Sequence, residues 1–199
     1  VRYFVTAIGT DSGKTLVSAI LCEALKADYW KPIQSGRPRD TDTVKSLISN
    51  DQTKFWPEAY LLNTPASPHA SAKIDNVKIE LNEIVSPVTD RLIVEGAGGC
   101  LVPINDHDFV IDIAKKLDIE IILVSNLYLG SINHTLLTAD YLRRNQFKVK
   151  GIVFNGEPNP ESERIILRHT RYPLLLSIQQ EKTVDKEVVR KYAKQIDWS

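Results

Sequence analysis

The sequence predicts an α/β protein: a three-layer sandwich in which a mostly parallel central sheet is flanked by helices. Three observations predict it. Short apolar or β-branched runs alternate with longer segments whose apolar residues recur at helical spacing. A glycine-rich turn stands between the first such run and the first such segment. The strand runs are apolar along their length, as strands covered on both faces are.

Each element follows from its residues. Residues 2–7 (RYFVTA) read as a buried first strand. Residues 15–26 read as a helix, with Leu16, Val17, Ala19, Ile20, Ala24 and Leu25 on a helical pattern. A strand over 29–33 and a helix over 41–48 come next. Residues 53–86 are the least regular stretch, punctuated by Pro57, Pro65 and Pro68. Phe55, Trp56, Tyr60, Leu61 and Leu62 make that stretch too apolar for a tether, so it is expected to be an excursion over the substrate side. The alternation resumes with a strand over 91–94, a helix over 109–117, a strongly apolar strand over 120–125 and a helix over 132–143. It ends with a strand over 150–155, a helix over 160–168, a strand over 173–178 and a closing helix over 184–196. No internal repeat or low-complexity tract divides the chain, and residues 1–199 are expected to form one domain.

Composition narrows the function classes. Hydrophobic residues make up 43% and charged residues 25%, which excludes a disordered chain and a collagen-like repeat. Lys plus Arg balance Asp plus Glu at 25 each, so no overall field draws in nucleic acid or an anionic membrane, and neither is expected as a partner. No run approaches the roughly 20 apolar residues of a membrane span. The opening VRYFVTAI is strand-like and lacks a secretory apolar core, so a cytoplasmic location is expected. Cys22 and Cys100 do not have metal-ligand spacing and read as packing residues.

The strongest chemical signal is GTDSGKT, residues 9–15, between the first strand and the first helix. In a phosphate loop at that place, backbone N–H groups around Asp11, Ser12 and Gly13, with the positive end of the helix, cradle phosphate oxygens. Lys14 neutralises the β- and γ-phosphates, and the Thr15 hydroxyl can ligate Mg²⁺. The plain alternative is a tight turn with a surface lysine. The generic pattern would put its first glycine at Ile8, whereas here it stands at Gly9, so the rest of the sequence must decide the branch of this P-loop NTPase-type fold.

Four further places carry chemistry. Lys31 ends the second strand in YWKPIQSG, where a cation joins a ligand collected beyond the carboxyl ends of the strands; a solvated strand-end lysine is the alternative. Glu95 ends the 91–94 strand ahead of Gly96, Ala97, Gly98 and Gly99, presenting a carboxylate to Mg²⁺ beside glycines that permit close approach. Asp42, at the start of the next helix, can supply a second carboxylate or serve as an N-terminal helix charge. Leu129, Gly130 and Ser131 open the helix after the most apolar strand, and its free N–H groups can receive an anion. Ile132 adds apolar lining near Asn133, for which helix capping is the alternative. Asn155 ends the 150–155 strand, and its amide can pair with a donor and an acceptor of a nucleobase. His69 reads as a structural residue.

FVTAIGTDSGKT, YWKPIQSG, TPASPHASA, IVEGAGGCLVPI, LGSINHTLLTA and IVFN together resemble, in order, the motif series of dethiobiotin synthetase, from Phe4 to about Asn155. The resemblance implies an ATP- and Mg²⁺-dependent ligase that joins CO₂ to 7,8-diaminononanoate and works as a homodimer with its substrate site at the interface. It implies that Lys14 and Lys31 bind the phosphoryl group and carbamate, and that Thr15, Asp42 and Glu95 hold Mg²⁺. Thr10, Asp11 and Ser35 would line the substrate side of the loop, residues 129–133 would serve the neighbouring subunit's site, and Asn155 would contact adenine. Cell-division-site and chromosome-partitioning ATPases are the main alternative, but their loops carry an extra lysine ahead of Gly-Lys-Thr, where this chain has Thr10, Asp11 and Ser12.

Overall fold

The structure, a computed structural model, describes residues 1–198. Its core is one sheet built from β1 (Arg2–Ala7), β2 (Asp28–Trp30), β4 (Phe55–Trp56), β6 (Leu92–Glu95), β7 (Glu120–Asn126), β8 (Val149–Asn155) and β9 (Leu174–Ile178). The strands lie in the order β4-β2-β6-β1-β7-β8-β9, and every neighbouring pair is parallel. Helices α1 (Lys14–Leu25), α2 (Asp40–Leu47), α3 (Pro68–Ile74), α4 (Asp112–Leu117), α5 (Ser131–Arg144), α6 (Pro160–Thr170) and α7 (Lys186–Ala193) supply the outer layers.

Both faces of the sheet are buried, and the period-2 alternation of strands sorts its side chains between them. Val5, Ala7, Ile93, Ile122 and Val124 pack on the side of α1, α2 and α7, against Val17, Ile20, Val44 and Val189. Phe4, Leu92, Val94, Ile121, Leu123 and Phe154 pack on the other side, against Ile113, Ala114, Leu142 and Ile166 of α4, α5 and α6. No helix among the described residues is long and apolar enough to cross a membrane.

Two expectations change in detail. The strand expected over 29–33 breaks at Lys31 and Pro32, since proline cannot donate to a ladder. Its remainder becomes β3 (Ile33–Ser35), which pairs with β5 (Tyr60–Leu62) in a separate two-stranded sheet. The irregular stretch is less irregular than its prolines imply: it holds β4, β5, α3 and a 3₁₀ turn at Leu81–Glu83. Its edge strand β4 is fixed to β2 by a buried carboxylate, because Asp28 accepts from the Lys54 N–H at 3.0 Å and the Trp56 indole at 3.1 Å.

The strand order positions the chemistry. The chain leaves β1 toward one side of the sheet and reaches β7 on the other, so β1 flanks the crevice where ligands collect in parallel sheets. β6 lies between β1 and β2, with Glu95 beside Val5 and Val94 beside Trp30. Glu95 is thereby set between the loop that follows β1 and the lysine that follows β2.

Candidate active site

The carboxyl ends of β1, β2 and β6 open into a cleft of about 680 Å³ lined by Thr10, Asp11, Gly13, Lys14, Thr15, Lys31, Ser35 and Glu95, with Gly98 and Val102 at one side. Pro65, Ala66, Ser67 and Pro68 of the excursion close another side.

The loop is folded by its own polar groups. The Ser12 hydroxyl donates to the Gly9 carbonyl at 3.0 Å, and Lys14 Nζ reaches the same oxygen at 3.4 Å. Ser12 is buried and does not line the cleft, so its side chain shapes the turn and only its backbone is left for a ligand. Gly13 has φ 98°, and a Cβ there would stand 2.3 Å from the Asn155 amide nitrogen. Asn155 also donates to the Ser12 carbonyl at 3.0 Å. It therefore braces the phosphate loop from the end of β8, just outside the cleft lining. Gly98 has φ 62°, and a Cβ there would strike Val102 at 2.7 Å, so the turn after Glu95 admits no larger residue.

A dense polar cluster lies beneath the loop. Glu95, 1% exposed, accepts through Oε1 from the Thr15 hydroxyl at 2.9 Å and from Lys31 Nζ at 3.1 Å. Its Oε2 accepts from the Tyr29 hydroxyl at 2.9 Å. Lys31 also donates to the Gly96 carbonyl at 3.0 Å and pairs with Asp40 Oδ2 at 2.5 Å. Burial works against the Lys31 charge, but Glu95 and Asp40 outweigh it and hold the ammonium above its usual range. Lys14 is shifted the other way: burial and the Lys31 charge lower it, against partial compensation by Glu95, Asp40 and Asp11. The two cations thus share one cleft with two carboxylates between them.

Asp42, expected as a Mg²⁺ ligand, stands apart from the cleft in this structure. Its side chain is 55% exposed, lies outside the cleft lining and is held by Arg39, whose Nε and a terminal nitrogen reach it at 2.9 and 2.6 Å. The carboxylate at the site is Asp40, the first residue of α2, which lines the cleft. Its backbone N–H donates to the Gln34 side-chain oxygen at 3.0 Å, and that bond fixes the start of the helix against β3. Gln34 and Tyr29 are two further site residues not foreseen from sequence.

Residues 129–133 do not reach this cleft. Leu129, Gly130 and Ile132 line a separate pocket of about 330 Å³ with Glu157 and Asn159. Leu129 is fully exposed, Asn133 is exposed, and Ser131 is buried with an unpartnered hydroxyl. No side chain caps α5; the Ser131 N–H donates to the Tyr128 carbonyl at 2.9 Å, which leaves the N–H groups of Ile132 and Asn133 for an anion. The Ser35 hydroxyl, inside the main cleft, also has no partner. His69 is exposed, with its Nδ1 3.1 Å from the Ser67 Oγ and its backbone N–H donating to the Pro103 carbonyl at 3.2 Å. Cys22 and Cys100 are buried and unpaired, and burial raises the Cys100 thiol to about 11, too high for a nucleophile.

No group of three or more His, Cys, Asp and Glu side chains that could hold a metal occurs among the described residues. The cleft offers instead a hydroxyl, Thr15, and two carboxylates, Glu95 and Asp40. These are hard oxygen donors too few to enclose an ion, which suits Mg²⁺, an ion that completes its shell with phosphate oxygens and water.

A glycine loop at the end of a central parallel strand, a lysine and threonine opening the next helix, and a strand-end acid bonded to that threonine define a P-loop nucleotide-binding enzyme. The model of a family described as an AAA domain matches residues 1–188. The chain is 57% identical over 195 residues to the ATP-dependent dethiobiotin synthetase of Cytophaga hutchinsonii, covering 96% of this chain and 95% of that one. It is 46% identical over 194 residues to the synthetase of Christiangramia forsetii, covering 96% and 93%. The chain belongs to the ATP-dependent dethiobiotin synthetase family. Among solved structures, a ParA family ATPase from Chlorobium tepidum aligns with TM-score 0.63 at 12% identity, covering 97% of both chains. The septum site-determining protein MinD of Pyrococcus horikoshii, complexed with Mg-ADP, aligns with TM-score 0.59 at 14% identity, covering 99% of this chain and 96% of that one. At those identities the likeness establishes the fold alone.

Proposed function

We propose that this chain carboxylates 7,8-diaminononanoate with CO₂ and closes its ureido ring at the expense of ATP, yielding dethiobiotin, ADP and phosphate. Family membership supports the reaction, and one observation supports the site: Lys14, Lys31, Thr15 and Glu95, carried by three different strand ends, meet in one cleft.

In this reading one amine adds to CO₂ and loses a proton, forming a carbamate. A carbamate oxygen attacks the γ-phosphorus and ADP departs, leaving a carbamoyl phosphate anhydride. The second amine attacks the carbonyl carbon, phosphate leaves with the electron pair of the broken C–O bond, and the amine's proton is lost. No nucleophilic side chain is required. The chain has to bring together anions, and Lys14 with Lys31 supplies two cations for the phosphoryl and carbamate oxygens. Thr10, Asp11 and the unpartnered Ser35 hydroxyl orient the amine-bearing end. Thr15, Glu95 and Asp40, in place of Asp42, would hold Mg²⁺, which supplies charge neutralisation at the β- and γ-phosphate oxygens. One N–H of Asn155 is committed to the loop, and its carbonyl oxygen is left to accept from the adenine amino group. Residues 129–133, exposed except for Ser131, would receive the carboxylate tail of a substrate bound in the other subunit of a homodimer.

The test is release of phosphate or ADP with Mg²⁺, ATP, bicarbonate and the diamine, omitting one component at a time. Turnover should require all four; ATP hydrolysis indifferent to the diamine would refute the ligase reading.

A further inference from the structure

Tyr29 lies in the middle of β2, fully buried on the α1 side of the sheet, with its ring 5.9 Å from that of Phe55. It does not line the cleft. Its hydroxyl nonetheless donates to Glu95 Oε2, while Oε1 of the same carboxylate takes Thr15 and Lys31, both of which line the cleft. The carboxylate is therefore divided, one oxygen turned to the ligand space and the other tied into the core.

We propose that Tyr29 is a positioning residue for metal-nucleotide binding, fixing the Glu95 carboxylate so that Oε1 is presented to the cleft. This rests on the reading that Glu95 holds Mg²⁺. The torsion that rotates a carboxylate about its last bond is broad and two-fold, so packing alone does not fix the plane of the group and the direction of the lone pairs that face the ligand. A directed bond to Oε2 fixes both. The tyrosine is tied to this acceptor for its own reasons too: a buried phenol needs a partner, and a buried carboxylate oxygen without a donor is costly. Partners that orient a metal ligand typically affect metal affinity or activity 10- to 100-fold.

Tyr29→Phe keeps the ring and its contact with Phe55 and removes one oxygen. Binding of Mn²⁺ to the protein saturated with ADP, followed by electron paramagnetic resonance, should weaken about 10-fold, with ADP affinity in the absence of metal unchanged. In turnover, the Mg²⁺ concentration for half-activation should rise while KM for the diamine stays put. Adding Tyr29→Phe to Glu95→Gln should cost no further Mn²⁺ affinity. Wild-type Mn²⁺ affinity in Tyr29→Phe, whatever its melting temperature, or an added loss in the Glu95→Gln background, overturns the positioning role alone. Wild-type protein that binds no Mn²⁺ with ADP overturns the metal reading of Glu95 and this inference with it.

Discussion

Asp40 and Asp42 stand two residues apart on α2 and differ in everything that matters for chemistry. Asp40 pairs with Lys31 in the cleft, whereas Asp42 is spent on Arg39 at the surface. Asp40→Asn should therefore lower Mg²⁺-dependent turnover by about 100-fold, in line with loss of a charged group from a phosphoryl-transfer site, while Asp42→Asn stays within about 2-fold. Steady-state rates across a Mg²⁺ titration decide it, and equal losses in both variants would sink the assignment. The helical period carries this distinction, although Asp42 was the residue expected at the site. Residues four and seven apart share a helix face, so Asp40 falls with the buried Val44 and Leu47 and Asp42 falls opposite them. Tyr29 was not legible, because nothing in a buried strand's apolar pattern tells that its one hydroxyl will find a cleft-lining carboxylate 66 positions away. The loop, Lys31 and Glu95 were legible because each sits at a strand end marked by glycine or proline, where side chains leave the core.

At the scale of elements, the long segments emerged from periodicity and the short ones did not. Strands of two or three residues such as β4 and β5 are shorter than the window over which alternation can be counted, and they exist through tertiary bonds from Asp28 and β3. A similar bond joins α1 to the end of α2. Glu23 of α1, 7% exposed, accepts the backbone N–H groups of Ser49 and Asn50 at 2.8 and 3.1 Å, the Asn50 amide at 3.2 Å and Lys26 at 3.2 Å. Burial alone would raise this carboxyl, but those donors outweigh it and lower the pKa from 4.5 to about 2. A carboxyl held lower in the folded state than in the unfolded chain stabilises fully above the unfolded pKa and loses its contribution as pH falls through the folded one. Stability should thus decline between about pH 5 and pH 2. Glu23→Gln should flatten that decline and cost on the order of 2 kcal/mol at pH 7. Urea denaturation at pH 7, 4 and 3 measures both, and an equally steep acid decline in the variant would remove Glu23 as its source.

For the whole molecule, periodicity implied parallel strands but could not order them, since an apolar strand fits any interior place in a sheet. The order places the loop, Lys31 and Glu95 together and leaves residues 129–133 out of their cleft. Fully exposed Leu129, with Tyr128 at 46% and Leu137 at 62% exposure, leaves apolar area in water beside an uncapped helix start. Covering it would stabilise an association by about 25 cal/mol per Å² of apolar surface. On the proposed reading the partner is a second copy of the chain, which would also complete the substrate site. Sedimentation equilibrium should accordingly give twice the 22.4 kDa chain mass for the wild type. Leu129→Asp, which puts an unpaired charge in that contact, should sediment as a single chain. Its ADP affinity should stay within about 2-fold, because the nucleotide site belongs to one chain, while diamine-dependent turnover falls by about 100-fold for want of the partner's helix start. A wild type that sediments as a single chain at full activity would mean that residues 129–133 serve no neighbouring site, and the carboxylate tail would then have to be received within the 680 Å³ cleft itself.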